Sequence, residues 1–273
     1  MPTAVALIRD GVVIDRMPEN AAAFAIASYE SILPEKRAQV AIEDLVNWAF
    51  QKSGLKPKGK MLAFNAQNGL INLSYALALY RDLALAIDDS ASYFPGAPEL
   101  LADLGSAGAR EYLTTVTRQS SLDDWAQTHS GRVAASLCEI LGSKGDFHKG
   151  EPHLRYMWEQ GATVIYYVAD AADEIVTAIS CNGYNVVPVG FAHVITPERV
   201  AEAYARVRAF QKEPYLPRST PEKIDPARLK LPDGQQLTAA LRDSGARTVV
   251  TGSREEIMAH LRTYFLAQGA LRK

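Results

Sequence analysis

The stretch Ala4-Val5-Ala6-Leu7-Ile8-Arg9-Asp10-Gly11 runs from apolar residues into a turn-forming Asp-Gly pair, and Asp15 follows before Met17-Pro18 opens a helical pattern. It reads as a strand delivering a carboxylate, Asp10, to the mouth of an active site. Only one carboxylate stands at the tip, with Ile8 and Arg9 just before it. Ligands of open α/β sheets bind beyond the carboxyl ends of the strands, so polar residues at other strand ends belong to the same candidate set. These are Thr114, Thr115 and Thr117 on a second apolar run, Lys149 in Asp146-Phe147-His148-Lys149-Gly150, and Asp170 and Asp173 after a third.

The elements that must position them follow from patterning. Continuous apolar runs predict buried parallel strands at Thr3–Ile8, Glu111–Val116, Thr163–Val168 and Asn185–Val189, with a further strand at Arg247–Thr251. Helical patterns over Glu99–Leu104, Leu122–Thr128, Pro152–Glu159 and Glu174–Ser180 alternate with them. That alternation predicts a doubly wound, Rossmann-like α/β sheet. One region breaks it. From Pro18 to about Ser92 only helices are expected, at Ala21–Leu33, Ala38–Ser53 and Leu70–Ile87, which reads as an inserted helical cap. The expected division is a core of residues 1–17 and 93–273 and a cap of 18–92. The stretch 211–234, with its five prolines, is assigned to the core as a linker or an ordered arm. Ordinary helices are expected at Pro197–Phe210 and Arg254–Ala267.

Bulk properties narrow the function classes. The 273 residues carry 29 basic and 31 acidic side chains, a net charge of −2 that offers no footprint for nucleic acid or an anionic membrane. No apolar run reaches the ~18 residues of a membrane span, and no signal-peptide pattern opens the chain, so a cytoplasmic protein is expected. Cys138 and Cys181 have neither metal-site nor disulfide-framework spacing and read as reduced thiols. His148 and His153 are five apart, not one helical turn apart, and read as surface or supporting histidines; Trp48, Phe50 and Phe64 read as cap core.

The ordered set resembles the haloacid dehalogenase-like (HAD) phosphohydrolase superfamily over nearly the whole chain. Asp10-Gly11-Val12-Val13-Ile14-Asp15-Arg16-Met17-Pro18 is similar to the continuation of its first motif, Asp-x-Asp-Gly followed by an Asp and a Pro. Phe94-Pro95-Gly96-Ala97-Pro98-Glu99-Leu100-Leu101 is similar to its return from a cap. Thr115 or Thr117 stands at its Ser/Thr motif, Lys149 at its lysine motif, and Asp170 and Asp173 at its acidic motif, with one residue fewer between the acids. Asp243–Leu261 is similar to the usual ending of such domains. A cap between the first and second motifs is the C1 position. The resemblance implies a phosphatase in which one strand-tip carboxylate forms an acyl-phosphate and a second, two residues on, handles the proton. It further implies Mg²⁺ held by the first carboxylate, a backbone carbonyl and the acidic motif, while Thr and Lys offset phosphoryl charge.

The match fails at one position. With Asp10 as the second carboxylate, the nucleophile position holds Ile8, which can neither attack phosphorus nor ligate a metal. A register with Asp10 as nucleophile would break the match to Gly11, Asp15 and Pro18 together. The expected function is therefore a phosphatase-fold protein without the phospho-aspartate route, binding a small, phosphorylated ligand or a partner. The alternatives are an active HAD hydrolase, or an enzyme using Asp10 as acid/base without a covalent intermediate. Mg²⁺ at Asp170 and Asp173 is weakened by Ile8. Arg9 then pairs with Asp170 or a ligand phosphate, or points to solvent. Arg118 and the cap residues Asn65, Gln67 and Asn68 are candidate ligand contacts, the last three in a polar loop or a helix-capping turn. A homodimer through the Pro-rich stretch is left open.

Overall fold

The computed structural model describes residues 3–52, 57–69, 72–90, 92–143, 150–181, 183–212, 214–215 and 218–271. Its strands are β1 Thr3–Ile8, β2 Arg110–Arg118, β3 Glu139–Ser143, β4 Val164–Ala169, β5 Val186–His193 and β6 Thr248–Gly252. Among the described residues they form one six-stranded sheet, every neighbouring pair parallel, in the order β3-β2-β1-β4-β5-β6. This is the doubly wound order expected of a Rossmann-like sheet. The helices are α1 Met17–Ser31, α2 Ile42–Gln51, α3 Pro57–Asn68, α4 Leu73–Ser90, α5 Ala97–Ser106, α6 Gln119–Trp125, α7 His129–Leu137, α8 Glu151–Glu159, α9 Ala172–Ser180, α10 Pro197–Ala209, α11 Gly234–Asp243 and α12 Ile257–Ala267.

β1 lies between β2 and β4, with Ile8 opposite Thr114 and Leu7 opposite Val168. A central strand is covered on both faces, which is why Thr-Ala-Val-Ala-Leu-Ile shows no polar alternation and is buried from Ala4 onward. Four strands fall where the apolar runs predict them, and β6 at the further site. β3 was not expected: Glu-Ile-Leu-Gly-Ser is a short edge strand whose first three residues are only partly covered or exposed. α3, α7 and α11 were likewise not predicted.

The chain forms two compact units. One comprises Met1–Asp15, Ala91–Val194 and Pro232–Lys273; the other comprises Arg16–Ser90 and Ile195–Leu231. The first holds the sheet and a core that includes Leu7, Ile8, Leu113, Val168 and Phe191. In the second, α1 packs on α2, α4 and α10 around Phe24, Leu45, Leu79 and Tyr204. The assignment of 195–231 to the core is corrected here. Val200, Tyr204, Val207, Ile224 and Leu229 share the buried cluster of the helical unit.

Within the Pro-rich stretch, residues 219–230 are held by polar side chains of α1 and α2. Glu30 Oε1 accepts the backbone N–H groups of Ser219 (2.7 Å) and Thr220 (2.9 Å). Glu43 Oε1 accepts that of Asp225 (2.9 Å), and Asn47 Oδ1 that of Lys230 (2.7 Å). Proline-broken backbone cannot satisfy itself in a ladder, so buried carboxylates and amides replace the missing partners. No helix among the described residues is long and apolar enough to cross a membrane.

Candidate functional site

β1 ends at Ile8, and the chain closes at once into a five-residue turn, Arg9–Val13, in which Asp10 and Gly11 leave helical geometry. Ile14 N–H donates to Arg9 O (2.8 Å) and Gly11 N–H to Ile14 O (3.0 Å), so the turn folds back on itself. Gly11 sits at φ +95°, in the left-handed region. A Cβ there would lie 2.2 Å from Asp170 Oδ2 and 2.8 Å from its Cγ. Glycine is therefore demanded twice: by the backbone angle and by the carboxylate of β4's successor residue resting on the turn. This contact brings Asp170, expected from sequence at the tip of its strand, to the same end of the sheet as Asp10.

At the tip itself the side chains divide sharply. Ile8 is 1% exposed and belongs to the sheet core. Arg9 is equally buried, which overturns the solvent-pointing alternative. Its Nε donates to Asp10 Oδ1 (3.0 Å) and its Nη2 to Asp10 Oδ2 (3.3 Å). Its Cζ lies 4.7 Å from the ring centroid of Trp125, at the end of α6. The guanidinium is thus held by a two-pronged carboxylate pair and a cation–π contact, both strengthened by exclusion of water. Trp125 escaped the sequence reading because nothing local marks it; only the fold brings α6 under the β1 tip.

The β2 tip is built from a hydroxyl turn. Thr115 Oγ1 accepts the Thr117 backbone N–H (3.2 Å) and lies 3.1 Å from Thr117 Oγ1. Thr115 is buried and Thr117 partly exposed, while Arg118 is exposed at the start of α6. Gln119 Oε1 accepts the Gly142 N–H (2.8 Å), joining this turn to β3. His153, expected at the surface or in support, is buried with Nε2 3.0 Å from Gly142 O. Asp170 is partly buried and Asp173 exposed in the first turn of α9. Beneath them Tyr167 is fully buried; burial pushes its phenol well above the ordinary range, and the Asp173 and Asp170 carboxylates add to the shift. Lys149 and His148 lie outside the described residues.

Asp15, further along the same turn, is 2% exposed and pairs with Arg254 Nε (2.5 Å). Arg254 also donates to Tyr93 O (3.3 Å), where the chain re-enters this unit, and Asp15 N–H donates to Ser92 O (3.0 Å). Asp15 is a structural clasp. Asn65, Gln67 and Asn68 belong to the helical unit and lie in the last turns of α3, at a helix end rather than in a polar loop. Asn65 is half-buried, Gln67 and Asn68 exposed, and Asn68 Nδ2 donates to Phe64 O of its own helix (2.9 Å).

The Mg²⁺ that the resemblance implies does not fit these residues. Ile8 offers no donor atom, and both Asp10 oxygens accept from Arg9. Among the described residues no group of three or more His, Cys, Asp and Glu side chains is placed to hold a metal. Hard divalent cations need several converging oxygens, and this tip presents a guanidinium instead.

Neither a protein-family model nor a curated protein matches the sequence. Solved structures do match the fold. A HAD family hydrolase from Deinococcus radiodurans R1, with bound phosphate and sodium, is 17% identical at a TM-score of 0.61, covering 98% of this chain and 96% of its own. A predicted phosphatase from Clostridium acetobutylicum is 15% identical at 0.60, covering 98% and 99%. A haloacid dehalogenase-like family hydrolase from Streptococcus pneumoniae is 15% identical at 0.57, covering 95% and 98%. At such identities the likeness is one of fold: over nearly its whole length, this chain has the α/β architecture of the HAD hydrolases.

Proposed function

We propose that this protein binds a small anionic ligand, a phosphorylated metabolite in the first instance, at the β1–β4 strand tips without forming a phospho-aspartate. The observation that carries the reading is Ile8, buried in the core two residues before Asp10, where the resemblance implies the nucleophilic carboxylate. The Thr115–Thr117 turn supplies threonine hydroxyls of the kind that hold phosphoryl oxygens, and the Deinococcus protein of the same fold contains phosphate. Screening phosphorylated metabolites by thermal shift tests it, since a ligand that prefers the folded state raises the melting temperature by mass action. A shift by at least one class, with no turnover of that class in Mg²⁺, is the expected result. Ile8→Asp is the companion variant: phosphatase activity appearing only in it would mark Ile8 as the lost nucleophile position.

A second reading, hydrolysis with Asp10 as acid/base, draws on the full-length match to hydrolases. It requires Asp10 to leave Arg9 during the reaction. Turnover by the natural protein that falls at least a hundredfold in Asp10→Asn would establish this reading and dismiss the first.

A further inference from the structure

We infer that the Arg9 guanidinium is the resident cation of the strand tip, filling the electrostatic role of a divalent metal, so that the tip excludes Mg²⁺ and Mn²⁺ and binds its ligand without them. Three observations converge on it. First, Asp10 gives both carboxylate oxygens to Arg9 Nε and Nη2, at 3.0 and 3.3 Å, so its lone pairs toward that side are engaged. Second, Arg9 is not a surface residue visiting the site. It is 1% exposed and clamped on the Trp125 ring at 4.7 Å, with Trp125 itself 3% exposed. A guanidinium does not deprotonate at physiological pH, so the charge is permanent. Third, the Asp170 carboxylate rests on the Gly11 backbone, one residue from Asp10. A dication brought to these carboxylates would meet the buried positive charge of Arg9 and would have to displace its hydrogen bonds. Ile8, being apolar, adds no oxygen to replace the water the metal would shed.

The inference shares the strand-tip geometry of the proposed function but concerns metal alone, and the two fail separately. Metal binding without turnover would overturn this inference and leave the other standing. Metal-free turnover would do the reverse.

The test is Mn²⁺ binding, followed through loss of the free-ion paramagnetic resonance signal, with no substrate present. The natural protein is expected to bind no Mn²⁺ at millimolar concentration, and its melting temperature is expected to be the same in Mg²⁺ and in chelator. Arg9→Met, which keeps an unbranched stem against Trp125, is expected to gain one Mn²⁺ site and at least a tenfold rise in affinity. Adding Asp170→Asn is expected to abolish that gain. Should Arg9→Met fold poorly, Ile8→Asp combined with Arg9→Met restores a carboxylate, and Mn²⁺ is expected to raise its melting temperature. Stoichiometric Mn²⁺ binding by the natural protein that is lost in Asp170→Asn would overturn the inference. So would folded Arg9→Met and Ile8→Asp/Arg9→Met variants that both remain indifferent to Mn²⁺.

Discussion

Gly11 and Gly96 both adopt left-handed backbone angles, φ +95° and +84°, yet substitution should treat them differently. At Gly96 a Cβ would meet only Met258 Cβ, at an ordinary 3.6 Å, so Gly96→Ala carries the conformational cost alone, about 1 kcal/mol. At Gly11 the same cost is joined by a collision with the Asp170 carboxylate. Gly11→Ala should lose about 2–4 kcal/mol by denaturant titration, and ligand-induced stabilisation should fall with it. Glu111 supplies a second residue-scale test. Burial pushes its carboxyl up to about 7, partly opposed by a backbone hydrogen bond. Its Oε1 packs against Gly105, where a Cβ would stand only 2.7 Å away; the nearby Cys138 thiol is pushed up to about 12 by burial, with the Glu111 charge adding to it. The folded state therefore holds a proton that the unfolded state, near 4.5, gives up. Stability is fully present below about pH 4.5, declines as pH rises to about 7 and is level above. The carboxyl keeps part of its hydration, so the slope amounts to about 1–2 kcal/mol in total. Glu111→Gln should flatten it. Residue identity at the β1 tip was legible because Ile8, Asp10 and Gly11 are contiguous. The Arg9–Trp125 stack was not, since its partners meet only once α6 is docked.

Elements defined by hydrophobic period were legible, and those held by polar contacts across the chain were not. β1, β4 and β5 announce themselves as apolar runs. β3, a five-residue edge strand, has too little covered surface to impose a pattern. The Pro-rich stretch shows the second case: prolines and charges leave a linker and an ordered arm equally open, and three polar side chains of α1 and α2 hold its backbone between Ser219 and Lys230. Glu30 is the decisive one, because it serves the backbone of two consecutive residues. Glu30→Ala leaves both N–H groups without this acceptor and should cost about 2–4 kcal/mol. Limited proteolysis should then cut first between Gln211 and Leu231. Glu30→Gln, which keeps one acceptor oxygen, should show a smaller effect in both measurements.

At the scale of the whole molecule, the sheet depends on a strand whose partners lie far away in sequence. β1 bonds β2 on one side and β4 on the other, so without it β3-β2 and β4-β5-β6 have no ladder in common. Leu7→Asp would place an unpaired carboxylate in the middle of that strand, at a position 1% exposed. Loss of more than about 4 kcal/mol is expected, seen as failure to recover folded protein, with far-ultraviolet dichroism as the check. The alternation of strands and helices, with the helical interruption after β1, made the fold class readable. The membership of 195–231 in the helical unit was not, because grouping of distant segments leaves no trace in local periodicity.

The central position of β1 has a temporal side as well. It is made before the other five strands of the described sheet, and β2 and β4 follow only after the ribosome has added the residues up to Arg118 and Ala169. At roughly 5–20 residues per second, Thr-Ala-Val-Ala-Leu-Ile waits on the order of ten seconds or more for its second neighbour. During that interval a short, uncharged, β-prone segment has no native edge until β2 is complete and only one until β4 follows, which makes it the first place where crowded synthesis would lead to aggregation.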